Sequence, residues 1–257
     1  MRSGWRTSKA SDDLSKEDSG AASSRVIRVG IVFAIVGVAI QTAIHSLNWV
    51  LDGSQYLSVN GEGNPVTWVH SGVIFAAAFA CTLHATILTE RRREWAAMAA
   101  ILAFLSIDES LVVHERIVAR VLEIMDLPIV WDSVLWPVLY LPLLGTLLLL
   151  LVTVARLAPT GTGSLVLVGL GFLVAAVAAE VLSASVSTAD ENWPFALEGA
   201  IEEGAELAGW ILITTGLTAI TLAEFLASSR EGSARRVTEA VVRDVGRPVA
   251  GRERERV

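Results

Sequence analysis

The chain has 257 residues, of which 53% are hydrophobic and only 18% are charged, and its formal net charge is −7. Its apolar content exceeds that of a typical soluble protein, and its acidic balance gives no support to nucleic-acid binding. The single cysteine, Cys81, excludes a disulfide within the chain. We therefore expect an integral membrane protein with the lipid bilayer as its surroundings and no nucleic-acid partner.

The apolar residues form six runs of about 20 residues or more, the length that an α-helix needs to cross a bilayer. In chain order, the runs are Ile27 to Val50, Trp68 to Leu88, Trp95 to Leu122, Val134 to Ala155, Leu165 to Val186 and Phe195 to Leu226. A helix satisfies its backbone hydrogen bonds internally, as hydrocarbon requires. The sequence therefore predicts an all-α fold, a polytopic integral membrane protein with six transmembrane helices.

Basic residues indicate the orientation of these runs, because Lys and Arg collect in cytoplasmic connections. All of the 20 Lys and Arg residues except Arg116 and Arg120 fall on one side of the predicted membrane. This predicts a cytoplasmic N-terminus and C-terminus in a multi-pass protein of the plasma or bacterial inner membrane. Three regions follow: a disordered cytoplasmic tail at 1–26, a transmembrane domain at 27–227, and a basic, mixed-charge tail at 228–257.

Carboxylates and histidines interrupt the apolar runs at a similar depth, toward the outer face. They are Asp108, Glu109, His114 and Glu115 in the third run, and Glu198, Glu202, Glu203 and Glu206 in the sixth. His45, His70 and Glu180 share this layer without an assigned role, whereas His84 lies in the cytoplasmic half. A carboxylate in hydrocarbon costs several kcal/mol unless it is paired, protonated or bound to a metal. The cluster therefore needs a compensating partner.

A divalent metal ion is the compensation that the residue types favour. Carboxylate and imidazole groups suit Zn, Fe or Mn, and one or two such ions would balance the negative charge. We predict six ligands, namely Asp108, His114, Glu115, Glu198, Glu202 and Glu206, with Glu109 and Glu203 as catalytic groups that transfer protons. Asp108 and Glu115 share a face of an ideal helix, whereas His114 points away from Asp108. The site would serve a metal-dependent hydrolase or oxidase that acts on a lipid or another membrane-associated substrate.

Two other functions also account for buried acids. Mutually repelling carboxylates can exchange protons, as in a proton- or cation-coupled carrier or channel. A buried polar network can instead fix helix packing or bind another subunit. The chain contains neither His-Glu-x-x-His nor Glu-x-x-His, so no known metal motif decides between these hypotheses.

Overall fold

Seven α-helices account for most of the residues that the computed structural model describes, which are 24–44, 46–47, 65–128, 132–158, 161–184 and 193–245. The helices are α1 (Ser24–Ile44), α2 (Pro65–Ile87), α3 (Arg92–Leu111), α4 (Val113–Met125), α5 (Asp132–Leu157), α6 (Thr162–Ala184) and α7 (Trp193–Val245). These ranges contain no β-strand. The predicted all-α fold is confirmed.

Five helices within the described ranges are long and apolar enough to cross a membrane. They are α1, α2, α5, α6 and the part of α7 from Ile201 to Ser229, and the pair α3 and α4 passes the same test if the two are taken as one bent span. The helix α7 continues beyond the predicted boundary at 227. It ends at Val245, so it includes residues 228–245 of the predicted C-terminal tail. Residues 1–23 and 246–257 of the predicted tails lie outside the described residues, as does His45.

The third predicted run is broken at Val112, where α3 and α4 meet at an angle of 70°. Val112 has φ 56° and ψ 43°, a left-handed conformation that is strained for a β-branched side chain. Its N–H donates to the carbonyl oxygen of Asp108, and the Asp108 carboxylate accepts the N–H of His114 in the first turn of α4. Asp108 therefore closes one helix and caps the next, and this local arrangement offsets part of the strain.

Small residues bring α6 and α7 into backbone contact. A Cβ atom added to Gly169 would lie 2.7 Å from the carbonyl oxygen of Gly209, and one added to Gly209 would lie 2.8 Å from Leu173. Such close approach is typical of helices that pack through small residues. The helix α7 also packs against α2, and the buried side chains of Ile213 and Leu217 belong to the central core.

Three serines join α2 to α3. Ser71 Oγ donates to the carbonyl oxygen of Ser106 at 2.8 Å, and Ser106 Oγ donates to the carbonyl oxygen of Ser71 at 2.9 Å. The Oγ atoms of Ser71 and Ser110 are 2.6 Å apart. These bonds fix the register of the two helices. Because Ser71 follows His70 and Ser110 follows Glu109, they also fix the relative positions of these two neighbours.

Candidate metal centre

His70 lies fully buried on α2 and faces carboxylates from two other helices. Its Nδ1 is 3.8 Å from Glu109 Oε1 on α3 and 3.7 Å from Glu203 Oε2 on α7. The two carboxylates are partly buried, with side-chain exposures of 22% and 29%. Residues that are distant in sequence thus converge on one imidazole.

A three-residue group at this point has the composition of a metal site. A nitrogen of His70 and one carboxylate oxygen each from Glu203 and Glu206 lie within 4.8 Å of one another. It is the one such His, Cys, Asp and Glu group found among the described residues. We call His70, Glu203 and Glu206 the cation site. Ligands bound at about 2.0–2.2 Å place their donor atoms about 3–4 Å apart, so small side-chain rotations would close the site on an ion.

The His70 imidazole lacks the hydrogen bonds that a buried ring normally makes. Both its Nδ1 and its Nε2 are buried, and neither has a hydrogen-bond partner in the structure. A buried polar atom without a partner costs about 1–3 kcal/mol. A neutral imidazole has a nitrogen lone pair that can bind a cation, so the ring and the two carboxylates fit a divalent metal such as Zn, Fe or Mn.

Glu206 receives support from its own helix. Trp210 Nε1 donates to Glu206 Oε1 at 3.3 Å, across one turn of α7. This bond restrains the carboxylate while leaving its second oxygen available to a ligand. A side chain that is oriented in this way loses less conformational freedom when it binds a metal.

A second polar group lies at the bend between α3 and α4. The Asp108 carboxylate accepts three hydrogen bonds: His114 N–H at 3.0 Å, His114 Nδ1 at 2.9 Å and Tyr140 Oη at 2.8 Å. An ionised carboxylate only accepts hydrogen bonds, so the Nδ1–H of His114 is the donor to Asp108. Asp108 thus fixes the orientation of the His114 ring.

Aromatic rings enclose His114 on the α5 side. The ring of His114 lies 5.5 Å from that of Trp136 and 6.2 Å from that of Tyr140. Trp136 Nε1 also donates to Glu180 Oε1 at 2.7 Å, which joins α5 to α6. Glu180 therefore belongs to a hydrogen bond between α5 and α6. Asp108 and Glu109 are adjacent in sequence, so the His114 group lies one residue along α3 from the carboxylate that faces His70.

The structure assembles the predicted residues differently from an ideal straight helix. Asp108 and His114 are in contact because of the 70° bend, whereas the helical phase of a straight α-helix would separate them. Glu115 is exposed on α4, and Glu202 lies beside Glu203 but outside the three-residue group. The side chain of Glu198 lies outside the described residues. Among the predicted ligands, Glu206 belongs to the cation site, and Glu203, which we predicted to be catalytic, joins it there.

His70 is not among the ligands that the sequence predicts. Its position early in the second run is a signal, because it places His70 at the depth of the acids in the third and sixth runs. The face of α2 that meets α7 could not be read from this pattern. In the structure, Thr214 Oγ1 of α7 donates to the carbonyl oxygen of Val73 on α2 at 3.1 Å, which identifies that face.

One family model, described as a domain of unknown function (DUF8692), matches residues 26–220, and the chain belongs to this family. The matched segment includes His70, Glu109, Glu203 and Glu206. The comparisons with curated proteins and with solved structures gave no match.

Proposed function

We propose that this member of the DUF8692 family is an integral membrane protein that binds one divalent metal ion at the cation site. The observation that carries the proposal is the fully buried His70 imidazole, whose two nitrogens lack hydrogen-bond partners although carboxylates of Glu109 and Glu203 lie 3.7–3.8 Å away. A cation bound between the imidazole and the acids would accept the lone pair of one ring nitrogen and balance the charge of the carboxylates. It would also offset the repulsion between neighbouring carboxylates.

A lipid environment is supported by the helix surfaces. Large apolar side chains are exposed on several candidate spans, with Phe33 exposed by 66% on α1 and Leu149 by 70% on α5. Hydrocarbon is a favourable solvent for these side chains, and water is not. The distribution of basic residues supports cytoplasmic termini in a plasma or bacterial inner membrane. In this orientation the cation site lies toward the outer face.

The chemistry of the donors limits the metal. One imidazole and two carboxylates resemble the ligand sets that hold Zn, Fe or Mn, and three protein ligands leave a position for water or substrate. A metal with an open position acts as a Lewis acid and activates water. We propose a metal-dependent hydrolase of a lipid or another membrane-associated substrate, in which Glu109, 3.8 Å from His70 Nδ1, is the acid beside the cation site that transfers a proton.

Elemental analysis of detergent-purified protein tests metal binding directly. The protein would be incubated with Zn²⁺, Mn²⁺ or Fe²⁺, freed of excess metal, and analysed by mass spectrometry of the elements. We expect about one ion per chain in the wild type, and a loss of at least about tenfold in affinity for His70→Gln or Glu203→Gln, because each removes a ligand.

Glu202→Gln is the matched control, since Glu202 is next to Glu203 on α7 but lies outside the three-residue group. We expect it to retain the ion. Circular dichroism would establish that every variant is helical. A folded wild-type protein that binds none of the three metals, or equal binding by the wild type and both ligand variants, would contradict the proposal.

A further inference from the structure

A second buried histidine, His84, lies near the C-terminal end of α2, outside the cation site. Its ring stacks on Trp95 of α3, with centroids 3.6 Å apart and an angle of 16° between the planes. Its Nδ1 lies 3.3 Å from Thr221 Oγ1, and its Nε2 lies 3.4 Å from Glu224 Oε2, both on α7. Contacts from two neighbouring helices thus hold this imidazole against one carboxylate.

The position of this contact repeats that of the cation site along the same two helices. His84 follows His70 by 14 residues on α2, about 21 Å, and Glu224 follows Glu206 by 18 residues on α7. Eighteen residues are about five helical turns, so the two glutamates share a face of α7. Ala77 and Cys81 lie between the two histidines in sequence, Ile213 and Leu217 lie between the two glutamates, and all four belong to the buried apolar core. The α2/α7 interface therefore has a His–Glu contact at each end.

We propose that His84 and Glu224 form a proton-binding site at the end of the α2/α7 interface that leads to Arg91. Two donor groups are too few for a structural or catalytic metal, which takes three or four protein ligands. A proton requires only one lone pair and one acceptor. His84 Nε2 makes no hydrogen bond of normal geometry, and a small rotation at 3.4 Å would give it one to Glu224.

The exposure of the two side chains gives the proton a route. The His84 side chain is 1% exposed, whereas that of Glu224 is 38% exposed. Glu224 therefore exchanges protons with the surroundings and passes them to the buried ring. The charged groups that act on Glu224 from the turn before α3 are Glu90 and Arg91, which have opposite signs. Trp95 and Thr221, which contact the ring from α3 and α7, are uncharged.

Trp95 provides an intrinsic reporter, because a protonated imidazole quenches the emission of an indole stacked on it. The tryptophan fluorescence of the full chain in detergent would be recorded between about pH 3.5 and pH 9, a range that covers the titration of both carboxyl and imidazole groups. The chain has eight tryptophans, so Trp95→Phe serves to isolate the Trp95 signal by difference. We expect a reversible change in the emission of Trp95 with pH.

Two variants assign the change to the pair. His84→Phe keeps an aromatic ring beside Trp95, and it should abolish the pH-dependent change. Glu224→Gln is milder, because the side chain is partly exposed and keeps its shape, and it should move the pH of half-change by about one unit or more. A flat wild-type profile, a change that persists in His84→Phe, or an unaltered midpoint in Glu224→Gln would overturn the proposal. None of these results depends on whether the cation site binds a metal.

Discussion

Removing the Asp108 carboxylate tests whether this residue stabilises the bend or binds the metal. In the structure its side chain is 7% exposed and accepts three hydrogen bonds, two from His114 and one from Tyr140. Asp108→Ala leaves these donors without their acceptor in a buried position. Because a hydrogen bond to a charged group contributes about 1.5–3 kcal/mol and the three are not additive, we expect a loss of about 3–5 kcal/mol in the free energy of unfolding.

Tyr140→Phe is the graded control, since it removes one donor and keeps the carboxylate, the ring and the other two bonds. We expect it to cost about 1.5–2 kcal/mol. Both variants would be unfolded in mixed micelles with increasing dodecyl sulfate, with helical content followed by circular dichroism. Metal content would be measured on the folded protein, where Asp108→Ala should still bind one ion at saturation, because Asp108 is outside the cation site.

Two results would refute this reasoning. If Asp108→Ala were as stable as the wild type, the three hydrogen bonds would not hold the bend. If folded Asp108→Ala lost its ion while Glu203→Gln kept it, Asp108 would be a ligand, as its position in the sequence predicts, and the cation site would be misplaced.

Two further predictions concern packing and ligand binding. Gly209→Ala should lower the free energy of unfolding by about 1–3 kcal/mol in the same micelle titration, because its Cβ would lie 2.8 Å from Leu173. Gly171→Ala is the control, since a Cβ there would have no heavy atom within 4 Å, and it should be neutral or stabilising by up to about 1 kcal/mol. Equal effects would show that α6 and α7 do not pack this closely. A metal at about 100 times its dissociation constant should stabilise the wild type by about 2.7 kcal/mol in thermal unfolding. The stability of His70→Phe should not change when the metal is added. If the metal stabilised both proteins equally, the ion would bind elsewhere.

The helices could be predicted from the sequence because the length of an apolar run is a local property. The acidic layer could be predicted for the same reason, since depth follows from the number of residues from the helix end. This is why Glu109 and Glu203, from separate runs, do meet at His70.

The bend at Val112 could not be predicted in this way. Neither glycine nor proline marks it, and a β-branched residue disfavours the left-handed conformation that it adopts. The conformation depends on contacts between residues on the two sides of the break, above all those of Asp108 with His114. Because of the bend, the helical phase of a straight helix does not predict which side chains of residues 108–115 are in contact. His114 contacts Asp108, although an ideal helix would keep the two apart.

The choice of a histidine at position 70 bears on the three hypotheses that the sequence leaves open. A network that only neutralised buried acids would be better served by arginine, whose guanidinium is always charged and donates two parallel hydrogen bonds to a carboxylate. Near the helix ends the chain uses arginine in this way, pairing Arg91 with Glu94 and Arg120 with Glu123. At Glu109 and Glu203 the structure instead provides an imidazole, whose neutral form offers a lone pair rather than a permanent charge. A group that can bind a cation, placed among acids that attract one, favours metal binding over a purely structural network.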